Sequence, residues 1–226
     1  MMDWTRTIQL LGQERFEQLQ QQRVILFGVG GVGGWCAEAL VRSGVQHLTI
    51  VDFDTINASN LNRQIVATDA NIGQSKVEEM RQRLLSINPQ ADIVAINQRY
   101  TAETSANFQL STFDYIIDAI DSVEDKVRLI YEATQTDAVL LSSMGAGRKT
   151  DTEQIRVSEF WKVTGCPLAR ALRTKMKKEG LLPHKKFQCV WSPELSADSG
   201  TIAPIVGVFG MKLANLLIQD SSLLIP

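Results

Sequence analysis

The sequence is poor in the residues that build metal centres and covalent staples. Three cysteines occur in 226 residues, Cys36, Cys166 and Cys189, and no two form a C-x-x-C pair. A structural zinc site of four cysteines is therefore excluded, and a sparse, odd thiol count points to a reducing compartment. The two histidines, His47 and His184, lack metal-ligand spacing. Neither sign of charge dominates: 23 Lys+Arg against 25 Asp+Glu leaves −2. The surface as a whole is no nucleic-acid glue, although a local basic face stays open. Residues 1–15 hold no signal-peptide apolar core. The longest apolar stretch, Ile202 to Ile218, contains Lys212, Asn215 and two glycines, and reads as a buried helix rather than a membrane span. A P-loop is also missing, because Gly145-Ala146-Gly147-Arg148-Lys149-Thr150 has the wrong spacing for G-x-x-x-x-G-K-[ST]. These absences leave a soluble, cytoplasmic protein without a membrane partner as the expectation.

What is present is a globular pattern. With 44% hydrophobic residues the chain is not disordered, and a chain of this length can bury roughly 70% of its unfolded surface. Residues 1–22 read as a helical arm, with Phe16 and Leu19 as core contacts. Solid apolar runs at Val24–Phe27, Leu48–Val51, Ile93–Ile96, Tyr115–Ile117 and Val139–Ser142 read as strands buried on both faces. Helical patterns separate them: Trp35–Ser43, with Gly44 as its stop, Gln74–Ile87, stopped by Pro89, and a segment opened by a capping-box pair, Ser122 and Asp125. This alternation predicts an α/β fold, a Rossmann-like doubly wound, mainly parallel sheet. After Gly147 the pattern loosens into a C-terminal extension of mixed strands and helices: strands at Ile155–Val157 and Phe187–Trp191, helices at Leu168–Lys178 and Ala203–Ile218. The expected organisation is one domain over 1–226, with a helical arm (1–22), a nucleotide-binding core (23–147) and a substrate-side extension (148–226).

The first strand runs into Gly28-Val29-Gly30-Gly31-Val32-Gly33-Gly34, a G-x-G-x-x-G turn ahead of a helix. Such a turn lets backbone N–H groups approach phosphate oxygens at the positive end of the helix. Asp52 ends the next strand 19 residues after Gly33, where an acid accepts hydrogen bonds from ribose hydroxyls. The motif says that a ribose and phosphates bind. Taken alone it would suit NAD or FAD.

Three further residues turn the reading from redox chemistry to adenylation. Arg63 stands in Ser59-Asn60-Leu61-Asn62-Arg63-Gln64, Lys76 follows 13 residues later, and Asp121 ends a strand in Asp118-Ala119-Ile120-Asp121-Ser122. Hydride transfer needs no two cations and a carboxylate around phosphates. Cleavage of a triphosphate does, because charge spreads over the α-phosphate and the departing pyrophosphate. Asp121 could hold Mg²⁺ there. Each residue alone has a plainer reading: Lys76 as a solvated helix lysine, Arg63 as a structural ion pair, Asp121 as a helix cap.

Together the stretches Gly28–Gly34, Asp52-Phe53-Asp54, Ser59–Gln64, Gly73-Gln74-Ser75-Lys76 and Asp121-Ser122 resemble the ThiF/MoeB/HesA family, the bacterial relatives of ubiquitin-activating enzymes. The resemblance implies Mg-ATP-dependent adenylation of a carboxylate. Asp52 would bind the ribose, Asn60, Arg63 and Lys76 the phosphates, and Asp121 the magnesium. The glycines Gly28, Gly30, Gly31 and Gly33, with Asp54, Ser59 and Ser122, would complete the nucleotide site. Arg6 matches a family arginine that reaches into the partner subunit's site, which implies a homodimer.

Activators of ubiquitin-like proteins in this family usually carry two C-x-x-C pairs, which this chain lacks. Its second half is similar to the tRNA threonylcarbamoyladenosine dehydratase branch in Met144-Gly145-Ala146-Gly147, Gln154-Ile155-Arg156-Val157, Pro167-Leu168-Ala169 and Cys189-Val190-Trp191-Ser192-Pro193-Glu194. That resemblance implies adenylation of the threonyl carboxylate of N6-threonylcarbamoyladenosine in tRNA, then ring closure with net loss of water. The alternative is activation of the C-terminal Gly-Gly of a ubiquitin-like sulfur carrier, with a sulfur-transfer partner protein. A tRNA partner suits the basic run Arg170, Arg173, Lys175, Lys177, Lys178, Lys185 and Lys186, which crowds 17 residues and otherwise reads as a solvated helix face. Cys189, in an apolar strand-like run, is expected to be a core residue rather than an acyl acceptor.

Overall fold

A computed structural model describes residues 2–220. Five strands and the helices between them build the first part: β1 (Arg23–Phe27), α3 (Gly31–Ser43), β2 (His47–Asp52), α4 (Lys76–Ile87), β3 (Asp92–Asn97), β4 (Tyr115–Asp118), α5 (Val123–Ala133) and β5 (Val139–Ser143). Two short helices precede them, α1 (Thr5–Leu11) and α2 (Gln13–Gln21). Then come β6 (Arg156–Glu159), α6 (Pro167–Glu179), β7 (Gln188–Trp191) and α7 (Ala203–Ile218).

The seven strands form one sheet in the order β3-β2-β1-β4-β5-β7-β6. All neighbours are parallel except the edge pair β6–β7. β1 is central because Val24-Ile25-Leu26-Phe27 is apolar on both faces, and a parallel strand with helices on either side buries both. Val24 and Leu26 join the core under α3, α4 and α7, while Ile25 and Phe27 join the core under α5 and α6. The alternation follows from the two-residue period of a strand. The mixed strands after Gly147 extend the same sheet, since β7 lies parallel to β5 with Cys189 opposite Ser142. The Rossmann-like, doubly wound reading therefore stands.

The helical arm differs from its sequence reading. One continuous helix was the natural expectation for residues 1–22, but Gly12 sits between α1 and α2 at φ 85°, a left-handed conformation that breaks the run. Phe16 and Leu19 are buried as expected. Phe16 reaches its place because Gly44, which ends α3 at φ 118°, has no side chain: a Cβ there would sit 2.6 Å from the Phe16 ring. Helix α7 lies against α3 just as closely, for a Cβ on Gly210 would meet the Val32 carbonyl oxygen at 2.5 Å. Among the described residues no helix is long and apolar enough to cross a membrane.

Candidate active site

A cavity of about 430 Å³ opens where β1, β2, β4 and β5 end. That edge, where the strand order reverses, is the ligand crevice of open α/β sheets. Its floor is the glycine turn. Gly28 takes φ 88°, and a Cβ there would press on the Ala119 carbonyl at 2.7 Å. Gly33 does not line the cavity. It lets α3 start directly behind the turn, since its Cβ would overlap the Gly28 carbonyl oxygen at 1.7 Å.

Asp52 fastens this turn to the end of β2. One carboxylate oxygen accepts from the Val29 N–H at 2.7 Å, the other from the Asp54 N–H at 3.0 Å. Each oxygen keeps a second lone-pair direction for a sugar hydroxyl.

Both cations face the cavity. Lys76 opens α4 and is buried, with its Nζ 2.8 Å from the half-exposed Asp54 carboxylate. Arg63 donates to the Ser59 carbonyl at 2.7 Å and to Asn62 Oδ1 at 2.8 Å, and its own carbonyl accepts from the Trp35 indole.

Asp121 and Ser122 reach the cavity on the β4–α5 loop, which is set from beneath. Buried Asp118 accepts from the Ile120 N–H at 3.1 Å, from Ser142 Oγ at 2.7 Å and from Lys126 Nζ at 2.7 Å, and Lys126 also donates to the Ile120 carbonyl at 3.0 Å. Ser122 caps α5 by accepting from the Asp125 N–H, but the expected capping box is only half made. The Asp125 carboxylate turns instead to Arg99, whose Nε donates at 2.8 Å and whose guanidinium covers the Phe53 ring. Asp121 is exposed at the cavity and makes no ion pair or hydrogen bond among the described residues.

Thus Gly28, Gly30, Gly31, Asp52, Asp54, Arg63, Lys76, Asp121 and Ser122 all meet at one cavity. Ser59 and Asn60 do not line it. They close the turn that carries Arg63: Asn60 Oδ1 accepts from the Asn57 N–H and Ser59 Oγ donates to Asn57 Oδ1. Arg6 is exposed on α1, outside this chain's cavity.

Sequence reading missed Gln64, whose buried Oε1 at the cavity wall has no partner among the described residues, along with Arg99, Thr201 and Val206. An orphaned polar atom at a cavity is what a bound ligand would satisfy. Cys189 lies fully buried in β7 away from the lining, and burial pushes its thiol well above the usual range.

Residues 4–221 match the ThiF family. The chain belongs to the ThiF family. The tRNA threonylcarbamoyladenosine dehydratase of Bacillus subtilis is 40% identical to this ThiF-family chain over 184 residues, 81% of this chain and 72% of that protein. The molybdopterin-synthase adenylyltransferase of Haemophilus influenzae is 32% identical over 194 residues, 86% of this chain and 72% of that one. The crystal structure of the Escherichia coli tRNA N6-threonylcarbamoyladenosine dehydratase in complex with ATP has a TM-score of 0.91 and 30% identity, covering 98% of this chain and 93% of that chain.

Proposed function

We propose that this ThiF-family chain is an ATP-dependent tRNA threonylcarbamoyladenosine dehydratase. The observation that carries the reading is the meeting of Arg63, Lys76 and Asp121, which has no partner among the described residues, at the Gly28–Gly31 turn. Its support is the likeness to dehydratases just described.

ATP would lie with its ribose on Asp52 and its phosphates along the Gly28–Gly31 turn, within reach of Arg63 and Lys76. Lys76 would exchange its bond to Asp54 for the phosphates. The chain's donor set suits magnesium. Among the described residues no three acidic, His or Cys side chains form a metal cage, but Mg²⁺ at a nucleotide needs one or two carboxylates plus phosphate oxygens. Asp121 is free to be one of them, and the ion would neutralise charge on the phosphates.

The threonyl carboxylate of the modified adenosine would attack the α-phosphorus, breaking the bond to pyrophosphate. A nitrogen of the same modification would then attack the activated carbonyl carbon, and AMP would leave. The attacker and target belong to one molecule, so effective concentration is high without an enzyme nucleophile. Burial of all three cysteines agrees with that. Arg6, outside this chain's own cavity, would complete the site of the second subunit in a homodimer. A reaction on tRNA and three unbridged cysteines both favour a cytoplasmic location.

The molybdopterin-synthase adenylyltransferase relative favours a second reading, activation of a sulfur carrier's C-terminal Gly-Gly, for which a sulfur-transfer partner would be needed. Incubation with ATP, magnesium and threonylcarbamoylated tRNA separates the two. The dehydratase reading expects the nucleoside to lose the mass of one water. Pyrophosphate exchange stimulated by a Gly-Gly carrier and not by tRNA would establish the second reading instead.

A further inference from the structure

We propose that a second, basic groove beside α6 holds backbone phosphates of the RNA whose modified nucleoside enters the nucleotide cavity. The inference rests on the dehydratase reading and extends it to where the polyanion lies. The groove encloses about 320 Å³ and is lined by Thr164, Arg170, Arg173, Thr174 and Lys177 with the backbone around Gly165. Among the described residues no carboxylate lines it.

The structure separates the basic run into committed and free charges. Lys175 is held at 2.6 Å by both Glu124 and Glu179. Lys185 donates to the carbonyls of Thr136 and Ala138 at 2.6 and 2.7 Å. Arg173 donates to the carbonyls of Phe160 and Val163, and its guanidinium lies over the Phe160 ring. It is thus a fixed positive charge at the groove, with no ion pair to an acid among the described residues. Arg170 and Lys177 are exposed, and their side chains make no ion pair or hydrogen bond among the described residues.

Arg170, Thr174 and Lys177 are spaced i, i+4, i+7 and share one face of α6. The helical rise puts about 10 Å between the first and last. Two exposed cations that far apart, flanking a fixed one, suit successive phosphates of a chain better than a single compact anion. The positive end of α6, thirteen residues long, adds to the same field. The groove is also in the right place. Leu168 lines the nucleotide cavity while Cys166 and Arg170 line the groove, so the first turn of α6 separates the two.

The test compares wild type with Arg170→Ala/Lys177→Ala in the full chain, using threonylcarbamoylated tRNA, ATP and magnesium. The tRNA KM is expected to rise on the order of tenfold, and the salt slope of log KM to fall by about one per residue removed. The kcat and the KM for ATP should stay as in wild type. Arg23→Gln removes one positive charge at the start of β1, the opposite end of the strands from the cavity, and should leave the tRNA KM and its salt slope unchanged.

An unchanged tRNA KM and salt slope, with wild type active, overturns the groove. Weakened inhibition by free pyrophosphate with an unchanged tRNA KM overturns it too, by assigning the groove to a released anion. If wild type leaves the nucleoside mass unaltered, the dehydratase reading fails. Direct binding of the same tRNA, measured without turnover, then decides the groove: weaker binding by the double variant upholds it and equal binding overturns it.

Discussion

Lys126 Nζ lies 2.7 Å from Asp118 Oδ2, and neither side chain has any exposed surface. The pair occupies the point where β4, β5 and α5 meet. Through Ile120 it fixes both the N–H and the carbonyl of the loop that carries Asp121 to the cavity. A buried pair of this kind adds little stability over a well-packed apolar pair, but losing one member strands the other charge.

Lys126→Met is therefore expected to lower unfolding stability by about 3–5 kcal/mol, measured by urea denaturation. Asp118→Asn combined with Lys126→Met should recover part of that loss, because the unpaired carboxylate is gone. The recovered double variant should still adenylate poorly, since the Asp121 loop has lost its anchor. A single variant within 1 kcal/mol of wild type would show that the clamp does not hold the loop.

Arg63 and Lys76 are expected to act on rate rather than on folding. Arg63 bonds a carbonyl and an amide oxygen at its own turn, and Lys76 pairs with an Asp54 that remains half exposed to water. Neither truncation leaves a fully buried charge. Lys76→Ala and Arg63→Ala should each reduce ATP–pyrophosphate exchange by roughly 10²–10³, the cost of removing one preorganised donor to a transition-state charge. Melting temperatures should shift little. Exchange at the wild-type rate in either variant would remove that residue from the adenylation step.

The sheet was legible because β1, β2, β4 and β5 are apolar on both faces, a pattern only a covered parallel strand needs. The glycine turn was legible because its spacing is a backbone requirement. Asp52 and Lys76 could be paired with it because each stands at an element end, and Arg63 and Asp121 because each stands in a short polar stretch between elements; Asp121, expected to end a strand, lies three residues past the end of β4 on the loop to α5.

Arg99 and Thr201 were not legible, for they reach the cavity from separate loops that only the folded sheet brings together, and Gln64, beside Arg63, carries no charge to mark it as a ligand group. Lys126 was hidden because a lysine in an amphipathic helix reads as solvated. Its burial depends on Asp118, whose strand-end acid gave no sign of pointing inward. The break at Gly12 was missed because the flanking residues are good helix formers and only the positive φ reveals the stop.

Cys189 is expected to take no part in the reaction. Its sulfur sits in β7 with no exposed surface, and the lost hydration pushes the thiol well above its usual range. A raised pKa leaves the group neutral at pH 8, where a thiolate would be needed to accept an acyl group. Cys189→Ala should keep kcat within about twofold of wild type. In the native chain Cys36 and Cys189 should resist iodoacetamide at pH 8 and react once urea unfolds the protein. Adenylate that accumulates in Cys189→Ala without ring closure would mean that the acyl group passes through this sulfur.

Gly33 and Gly34 stand side by side in α3, yet the fold makes opposite demands on them. Alanine is the better helix former by about 1 kcal/mol at either position. At Gly33 that gain is overwhelmed, because the new Cβ would overlap the Gly28 carbonyl oxygen at 1.7 Å, and a backbone oxygen in a tight turn cannot swing aside. Relief requires α3 to withdraw from the turn, which would carry its N–H groups away from the phosphates of an ATP bound as proposed. At Gly34 the nearest atom is Ile65 Cγ2 at 3.1 Å, the end of a side chain that can yield by a few tenths of an ångström. Gly33→Ala should therefore lose at least 100-fold in ATP affinity by titration calorimetry, while Gly34→Ala should bind ATP normally and melt within a few degrees of wild type. Equal ATP affinity in the two variants would mean that contact between α3 and the Gly28 turn does not shape the phosphate site.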